Sequence, residues 1–420
     1  MNIAVLGATR HRSPLKRWVN DSERVPATIV RTVDAPPTDG LLFELAGARE
    51  NLFFNPPETR AGIVTCGGLC PGLNDVIRSL FFEMYDAYGV KEMLGFRWGY
   101  QGLDPEHGAE PLVLTHDLVD TIHLQAGTIL GTSRGPVDKA RAVENLIRRR
   151  VNILFTIGGD GTQRGAQEFF EEAGRRGHAL SVVGIPKTID SDIPFAAHSF
   201  GFLTAVQEAT KVLQRAHTEA SSVQNGIALV KLMGRHAGFL TAEATLASQD
   251  VNFTLIPEVP FQLEGKGGFL AALEQRIVNR GHAVIAVAEG SGQDLLGNTG
   301  NERDASGNVR LIDVGLFLHQ KIEDWFKARK IPFVMRYFDP SYIVRSSPAN
   351  AEDSVLCDLF ARNAAHAAMA GKTGLVIGYL HDRFIHVPIE LLATHKKRVD
   401  PDGPVWSAVL ATTRQPHRFE

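Results

Sequence analysis

One arrangement recurs along the middle of this chain: a short apolar run, a turn that contains glycine, and then a helical pattern. The apolar runs are Gly62–Thr65, Val151–Ile157, Ile227–Val230 and Ala283–Val287, and a glycine follows each of them within a few residues. Strands that alternate with helices are typical of βαβ units with parallel strands. Four such turns are too many for a single nucleotide-binding loop. The sequence therefore predicts an α/β fold with two doubly wound parallel-sheet domains that face a shared active-site cleft.

The composition indicates an ordinary globular protein with small-molecule partners. Hydrophobic residues make up 44% and charged residues 22% of the 420 residues, and the formal net charge is −3. This charge favours neither a nucleic acid nor a membrane as partner, and we find no signal peptide and no apolar run long enough to span a membrane. Cys66 and Cys70 lack a second pair of ligands for zinc, so we expect small buried thiols. A cytoplasmic location follows as an expectation.

The segment Val183–Ile193 has the highest density of candidate catalytic residues. A β-branched apolar run ends at a proline, and a lysine, a threonine and two aspartates, Asp190 and Asp192, follow within six residues. Ligands bind at strand ends in open α/β sheets. One carboxylate there could accept a proton while the other helps to hold a divalent metal ion, as phosphoryl transfer requires. The alternative is a solvated turn whose aspartates cap the next element, and the segment alone does not decide between them.

Three loops with glycine are candidates for binding phosphate: Gly67–Asn74, Gly131–Gly135 and Gly158–Thr162. Glycine lets the backbone approach a phosphate closely, and a helix N-terminus offers unpaired N–H groups. Asp160 could reach a Mg²⁺ ion that bridges phosphates, and Arg134 could contact phosphoryl oxygens. The first loop has neither Walker nor Rossmann spacing. Ordinary tight turns, and a surface position for Arg134, are the alternatives.

Basic residues follow two later strands. Arg235 lies in the sequence Met-Gly-Arg shortly after Ile227–Val230, and Arg336 and Arg345 flank Tyr342 further along. Guanidinium groups are suited to a dianionic sugar phosphate. Surface salt bridging is the alternative for Arg336 and Arg345.

In their order along the chain, these motifs resemble the A-type 6-phosphofructokinase family. The matching segments are Gly67–Asn74, G-G-D-G-T, P-K-T-I-D-S-D, M-G-R and A-E-G-S-G-Q, and their order and spacing match from about Ala61 to Arg345. The resemblance implies transfer of a phosphoryl group to the 1-hydroxyl of fructose 6-phosphate. It is greatest for the long-chain branch of plant-type, trypanosomatid-type and some bacterial enzymes.

The resemblance also implies a role for each matching residue. Asp190 would be the general base with Thr188 beside the sugar hydroxyl, and Asp160 and Asp192 would bind Mg²⁺. The other catalytic candidates are Arg235, Lys187 and Arg134. The residues around ATP would be Gly67, Gly68, Arg134, Gly135, Gly159, Asp160, Gly161 and Thr162. Those around the sugar phosphate would be Thr188, Ile189, Asp190, Met233, Gly234, Arg235, Glu289, Arg336, Tyr342 and Arg345.

The family includes enzymes that use ATP and enzymes that use pyrophosphate as the phosphoryl donor. Two residues of this chain give opposite indications about which donor it uses. In the pyrophosphate branch an aspartate at the position of Gly161 excludes the nucleotide α-phosphate, so glycine here leaves room for ATP. Lys187 instead resembles the pyrophosphate branch. Gly161 carries more weight, because ATP cannot fit past an obstruction, whereas a lysine can contact the transferred group from either donor. ATP is the expected donor; the alternatives are a pyrophosphate-dependent enzyme and a non-catalytic regulatory subunit.

The resemblance further implies a domain division and an assembly. Residues 60–201 with 344–400 would bind ATP and Mg²⁺, and 202–343 would bind fructose 6-phosphate. Residues 1–59 would be an N-terminal extension and 401–420 a C-terminal tail. We expect an allosteric homodimer or homotetramer. Ser191 replaces the asparagine that most relatives have between the two aspartates, and we expect catalysis to survive this change.

Overall fold

The computed structural model describes residues 2–30, 40–297, 302–303 and 309–420. The chain divides into two compact units. The first unit contains residues 1–188, 193–201 and 347–396. The second contains residues 189–192, 202–346 and 397–420. No helix among the described residues is long and apolar enough to cross a membrane.

Strands and helices are numbered separately in chain order within the described residues. The strands are β1 (Ala4–Val5), β2 (His11–Arg12), β3 (Arg24–Pro26), β4 (Leu42–Leu45), β5 (Asn51–Leu52), β6 (Arg60–Thr65), β7 (Glu92–Phe96), β8 (Leu112–Val113), β9 (Ile153–Gly158), β10 (Ser181–Pro186), β11 (Gly226–Leu232), β12 (Phe253–Leu255), β13 (His282–Ala288), β14 (Val334–Phe338), β15 (Lys372–Thr373), β16 (Leu375–Leu380) and β17 (Arg383–Pro388). The helices are α1 (Leu73–Phe82), α2 (His116–Val119), α3 (Lys139–Arg148), α4 (Asp160–Arg175), α5 (Phe202–Ser221), α6 (Phe239–Ser248), α7 (Phe269–Arg280), α8 (Val314–Ala328), α9 (Ala351–Met369), α10 (Ile389–Thr394) and α11 (Pro404–Thr413).

The main sheet of the first unit has a parallel centre with antiparallel strands on both sides. Its order in the described chain is β3-β4-β17-β16-β10-β9-β6-β7-β8. The five strands from β16 to β7 are parallel to one another. Every residue of β9 and β10 is buried, as expected for parallel strands that are covered on both faces. The predicted α/β class with parallel sheets is confirmed, but the flanking antiparallel strands were not predicted.

The order of the five parallel strands reverses between β6 and β9. Numbered by their order along the chain, these strands run 2-1-3-4-5 across the sheet. In such sheets the crevice at the carboxyl ends of the strands, at the point of reversal, is the usual ligand site. This topology places the turns after β6 and β9 at that point.

The second unit has a smaller sheet whose strands are all parallel. Its order in the described chain is β12-β13-β11-β14, and β11 pairs with β13 on one side and β14 on the other. Leu232 pairs with Ala288, and Val230 with Phe338, so these three strands end at one edge of the sheet. Apolar residues of α7 and α8, including Phe269 and Phe326, pack in the same core as these strands.

The terminal segments belong to the two units rather than forming separate bodies. In the first unit, β4 pairs with β17 and with β3, so residues before position 59 widen the sheet. In the second, Trp406 of α11 packs with Ala242 and Ile256. The assignment of one unit to nucleotide and the other to sugar phosphate stays a prediction.

Candidate active site

In the first unit, Lys187 connects the glycine turns at the point of strand reversal. Gly67 and Gly68 follow β6, and Gly159 follows β9. The backbone N–H of Lys187 donates to the carbonyl of Gly158 at 3.1 Å, and its ammonium group donates to the carbonyl of Gly68. Lys187 is only 5% exposed. Lys187 therefore joins the ends of three neighbouring strands, through its backbone N–H on one side and its ammonium group on the other.

The loop that carries Arg134 lies against the same turn. The N–H of Gly67 donates to the carbonyl of Ser133 at 3.2 Å, and the hydroxyl of Thr132 donates to the carbonyl of Gly67 at 2.7 Å. Arg134 and Gly135 are themselves exposed. The predicted nucleotide-binding loops are thus brought together in one unit, with the Arg134 side chain at the surface.

The turn after β9 leads directly into α4, which begins at Asp160. A methyl group at Gly158 would lie 2.1 Å from the hydroxyl oxygen of Thr162, so this turn requires glycine. The Asp160 carboxylate lies at the positive end of the helix dipole, which favours negative charge. Lys396 Nζ lies 3.8 Å from an Asp160 oxygen.

Gly161 occupies an open position in the first turn of α4. A methyl group built there would meet only the Arg164 guanidinium, at an ordinary contact distance of 3.7 Å. Gly161 is exposed. Since a methyl group would fit without moving the protein, the packing of the protein itself does not require glycine at this position.

In the second unit, Asp190 lies among charged groups at the ends of β11 and β13. Burial raises the pKa of Asp190 well above its ordinary value, and the neighbouring carboxylates of Asp192 and Glu289 raise it further. The backbone N–H and the guanidinium group of Arg235 oppose this increase. A carboxyl group with a raised pKa between like charges is a common feature of catalytic sites.

Close backbone packing brings Arg235 and Glu289 together. The N–H of Glu289 donates to the carbonyl of Leu232 at 2.9 Å, and that of Gly290 donates to Gly234 at 3.1 Å. A methyl group at Gly290 would lie 2.0 Å from the carbonyl oxygen of Arg235. Gly234 has φ of +130°, in the region that favours glycine. Both glycines are therefore required where these two turns touch.

Arg345 interacts electrostatically with Glu289, whereas Arg336 lies beside the carboxylate of Glu219. Burial raises the pKa of Glu289, and the positive charges of Arg235, Lys231 and Arg345 oppose the increase. The Arg345 guanidinium also lies 4.8 Å from the centre of the Tyr342 ring.

The remaining residues that were predicted to bind the sugar phosphate lie as follows. Arg336 is an exposed residue of β14 that lies 3.8 Å from Glu219. Met233 follows β11 and is half-buried, whereas Ile189 is buried. Thr188 belongs to the first unit and directly precedes the segment Ile189–Asp192 of the second unit. Its carbonyl accepts a hydrogen bond from the Ser199 hydroxyl at 2.5 Å. The roles of all these residues stay predictions.

Two lysines near the candidate site were missed by sequence reasoning. Lys231 of β11 lies 2.6 Å from Asp313 and 2.9 Å from Asp339. A lysine inside an otherwise apolar strand is a signal that could have found it. Lys397 donates to Ser191 at 2.9 Å. It belongs to a Lys-Lys-Arg run that looks like an exposed surface, so the sequence gives no comparable signal.

Comparison with known proteins agrees with the observed fold and motifs. The family model for phosphofructokinase matches residues 60–368. An ATP-dependent 6-phosphofructokinase of Borreliella burgdorferi is 44% identical, and the alignment covers 98% of this chain and 96% of that protein. The ATP-dependent 6-phosphofructokinase 7 of Arabidopsis thaliana is 46% identical, with 95% and 82% covered.

A solved structure shows the same fold at low sequence identity. The pyrophosphate-dependent phosphofructokinase of Marinobacter aquaeolei is 20% identical with a TM-score of 0.69, covering 86% of this chain and 93% of that one. The family resemblance inferred from the motifs is confirmed. This chain belongs to the phosphofructokinase family.

Proposed function

We propose that this protein transfers the γ-phosphoryl group of ATP to the 1-hydroxyl of fructose 6-phosphate, giving fructose 1,6-bisphosphate and ADP. Relatives that are 44–46% identical over at least 95% of this chain have the name ATP-dependent 6-phosphofructokinase. The observation that carries the proposal is the position of Asp190, a half-buried carboxylate beside Arg235 and Glu289. This arrangement supports proton removal from a sugar hydroxyl next to a cation.

The residues of the second unit act on the acceptor. Asp190 takes the proton of the 1-hydroxyl as the oxygen attacks phosphorus, and its raised pKa makes it a stronger base than an exposed aspartate. Arg235 opposes the negative charge that gathers on the transferring group. Glu289 accepts a hydrogen bond from another sugar hydroxyl, and Arg345 binds the 6-phosphate.

The residues of the first unit hold the donor. The N-terminus of α4 at Gly159–Gly161 presents backbone N–H groups to the phosphates, beside the turn at Gly67–Gly68. Asp160 at that N-terminus fits a Mg²⁺ site, because this ion is commonly held by one or two carboxylates together with substrate phosphates. When bound, Mg²⁺ neutralises charge on the phosphates. Asp192 is the second carboxylate that the family resemblance assigns to this ion, and it would help to hold it.

Substitution at Gly161 tests the donor. We expect Gly161→Asp to lower kcat/KM for ATP on the order of 100-fold, because like-charge contacts cost several kcal/mol. Gly161→Ala is the matched control. Its methyl group fits the open position, so it should keep most of the ATP activity. Equal losses in the two variants, or no loss in Gly161→Asp, would contradict the role of this position.

The assembly and location of the enzyme follow the family resemblance. We propose a cytoplasmic homodimer or homotetramer. Light scattering of the purified protein would decide between these assemblies, and a monomer that is fully active would exclude both.

A further inference from the structure

We propose that Lys397 is a positioning residue that fixes the segment Ile189–Asp192, and thereby the carboxylate of Asp190, in the geometry that proton transfer needs. The segment and Lys397 belong to the same compact unit. Lys397 has this catalytic consequence only if the proposed function holds.

The ammonium group of Lys397 is surrounded by groups that hold it against this segment. Nζ donates to Ser191 Oγ at 2.9 Å and lies 5.0 Å from the centre of the Phe239 ring. The carboxylates of Asp192 and Glu243 attract it. Ser191 is only 2% exposed, so its hydroxyl makes this hydrogen bond away from bulk water. A charge-assisted bond in such surroundings is stronger than an exposed one.

The backbone at Ser191 gives this hydrogen bond its importance. Ser191 has φ of +53°, in the left-handed region that residues other than glycine, asparagine and aspartate rarely adopt. Ser191 separates Asp190 from Asp192, so its backbone conformation determines where both carboxylates point. We infer that the bond from Lys397 compensates for the unfavourable conformation of a serine at this position.

Asparagine at position 191 separates positioning from a general effect on folding. Asparagine adopts the left-handed conformation more readily than serine, so it should reduce the need for Lys397. A lysine that only balanced the charges of Asp192 and Glu243 would be equally important with serine or asparagine at position 191.

The experiment compares Lys397→Met, Lys397→Arg, Ser191→Asn and the double variant Ser191→Asn/Lys397→Met. Lys327→Met is the control, because Lys327 is an exposed residue of α8 that pairs with Glu323 of the same helix. For each protein, kcat, KM for both substrates, the melting temperature and hydrogen exchange of residues 187–199 are measured.

We expect Lys397→Met to lower kcat by about 10- to 100-fold, with little change in KM for ATP, because small displacements of catalytic groups have effects of this size. Exchange in residues 187–199 should become faster. Lys397→Arg should recover part of kcat, and Ser191→Asn should recover most of it in the double variant. Lys327→Met should behave as the wild type.

Two results would overturn the inference. One is unchanged exchange and unchanged kcat in Lys397→Met. The other is a loss of kcat that Ser191→Asn does not reduce, together with a lower melting temperature. If the wild type does not phosphorylate fructose 6-phosphate with ATP, the proposed function fails, and the exchange measurement still decides whether Lys397 fixes the segment.

Discussion

The two units of this protein each contain a cluster of charged residues, and the pKa of the central carboxyl group is shifted in opposite directions in the two clusters. We name the first the Glu44 cluster; it consists of Glu44, Asp21, Arg49, Lys372 and His386. The second is the Asp190 cluster; it consists of Asp190, Asp192, Glu289 and Arg235. The pKa of Glu44 lies below its ordinary value, whereas the pKa of Asp190 lies well above its ordinary value.

The difference follows from the partners of each carboxylate. Burial alone would raise the pKa of Glu44, but hydrogen bonds from His386 and Lys372 and the positive charge of Lys372 outweigh it. Lys372 lies 2.6 Å and Arg49 2.7 Å from the same carboxylate oxygen. Asp190 instead has two carboxylate neighbours and one guanidinium group. The Glu44 cluster thus favours folding, whereas the Asp190 cluster retains charge repulsion of the kind that is common in catalytic sites and costs some stability.

The largest expected effect is on turnover in the Asp190 cluster. Asp190→Asn should lower kcat by about 10²- to 10⁴-fold, the contribution typical of a general base. Its melting temperature should equal or exceed that of the wild type, because the amide removes a buried charge beside two carboxylates. Steady-state kinetics and thermal unfolding on one preparation measure both effects. Near-normal turnover would contradict a role for Asp190 as general base, and with it the functional difference between the two clusters.

The opposite pattern is expected in the Glu44 cluster. Glu44→Gln leaves buried cations without their shared carboxylate, which should lower the free energy of unfolding by about 3–5 kcal/mol. Turnover per folded molecule should not change, because Glu44 lies outside the candidate site. Urea unfolding and kcat measured at low temperature test this prediction. A variant as stable as the wild type would show that the cluster does not contribute to folding.

The smallest expected effect, taken per pH unit, is the pH dependence of stability in the first unit. Burial lowers the pKa of His366 from 6.5 to about 3, and the positive charge of Arg362 contributes. The unfolded chain therefore binds a proton below about pH 6.5 that the folded protein does not bind until about pH 3. His366 should reduce the free energy of unfolding by about 1.4 kcal/mol per pH unit as the pH falls through that range.

The variant His366→Gln checks this assignment, because glutamine does not titrate. Its unfolding free energy should decrease less steeply than that of the wild type between pH 6 and pH 4, within the window set by His366. Equal slopes for the two proteins would assign the pH dependence to other groups. Glu44 adds a loss of its own once the pH falls below about 4.5, its ordinary pKa in the unfolded chain, because its pKa is lower in the folded protein.

The sequence predicted the parts of the fold that depend on local patterns. The buried strands β9 and β10 are continuous apolar runs that end at glycine or proline, and the structure has them close to the predicted positions. The flanking strands β3 and β4 have only three and four residues. Such short strands have too little pattern to be recognised, and they form because β17 offers an edge to pair with.

The same limit applies to the candidate site. Asp160 and Asp190 come shortly after the ends of β9 and β10, so their position near strand ends could be predicted. Lys397 and Ser191 are 206 residues apart, and no local pattern connects them. The charged groups around Glu44 also come from distant segments of the chain. Long-range contacts of this kind become visible only in the folded structure.

The central claim is that this protein is a phosphofructokinase that uses ATP. The most direct test is the initial rate of fructose 6-phosphate phosphorylation by the purified protein with Mg²⁺ and either ATP or pyrophosphate at equal concentration. We predict that ATP supports rapid formation of fructose 1,6-bisphosphate and that pyrophosphate supports little. Faster turnover with pyrophosphate, or no product with either donor, would contradict the claim.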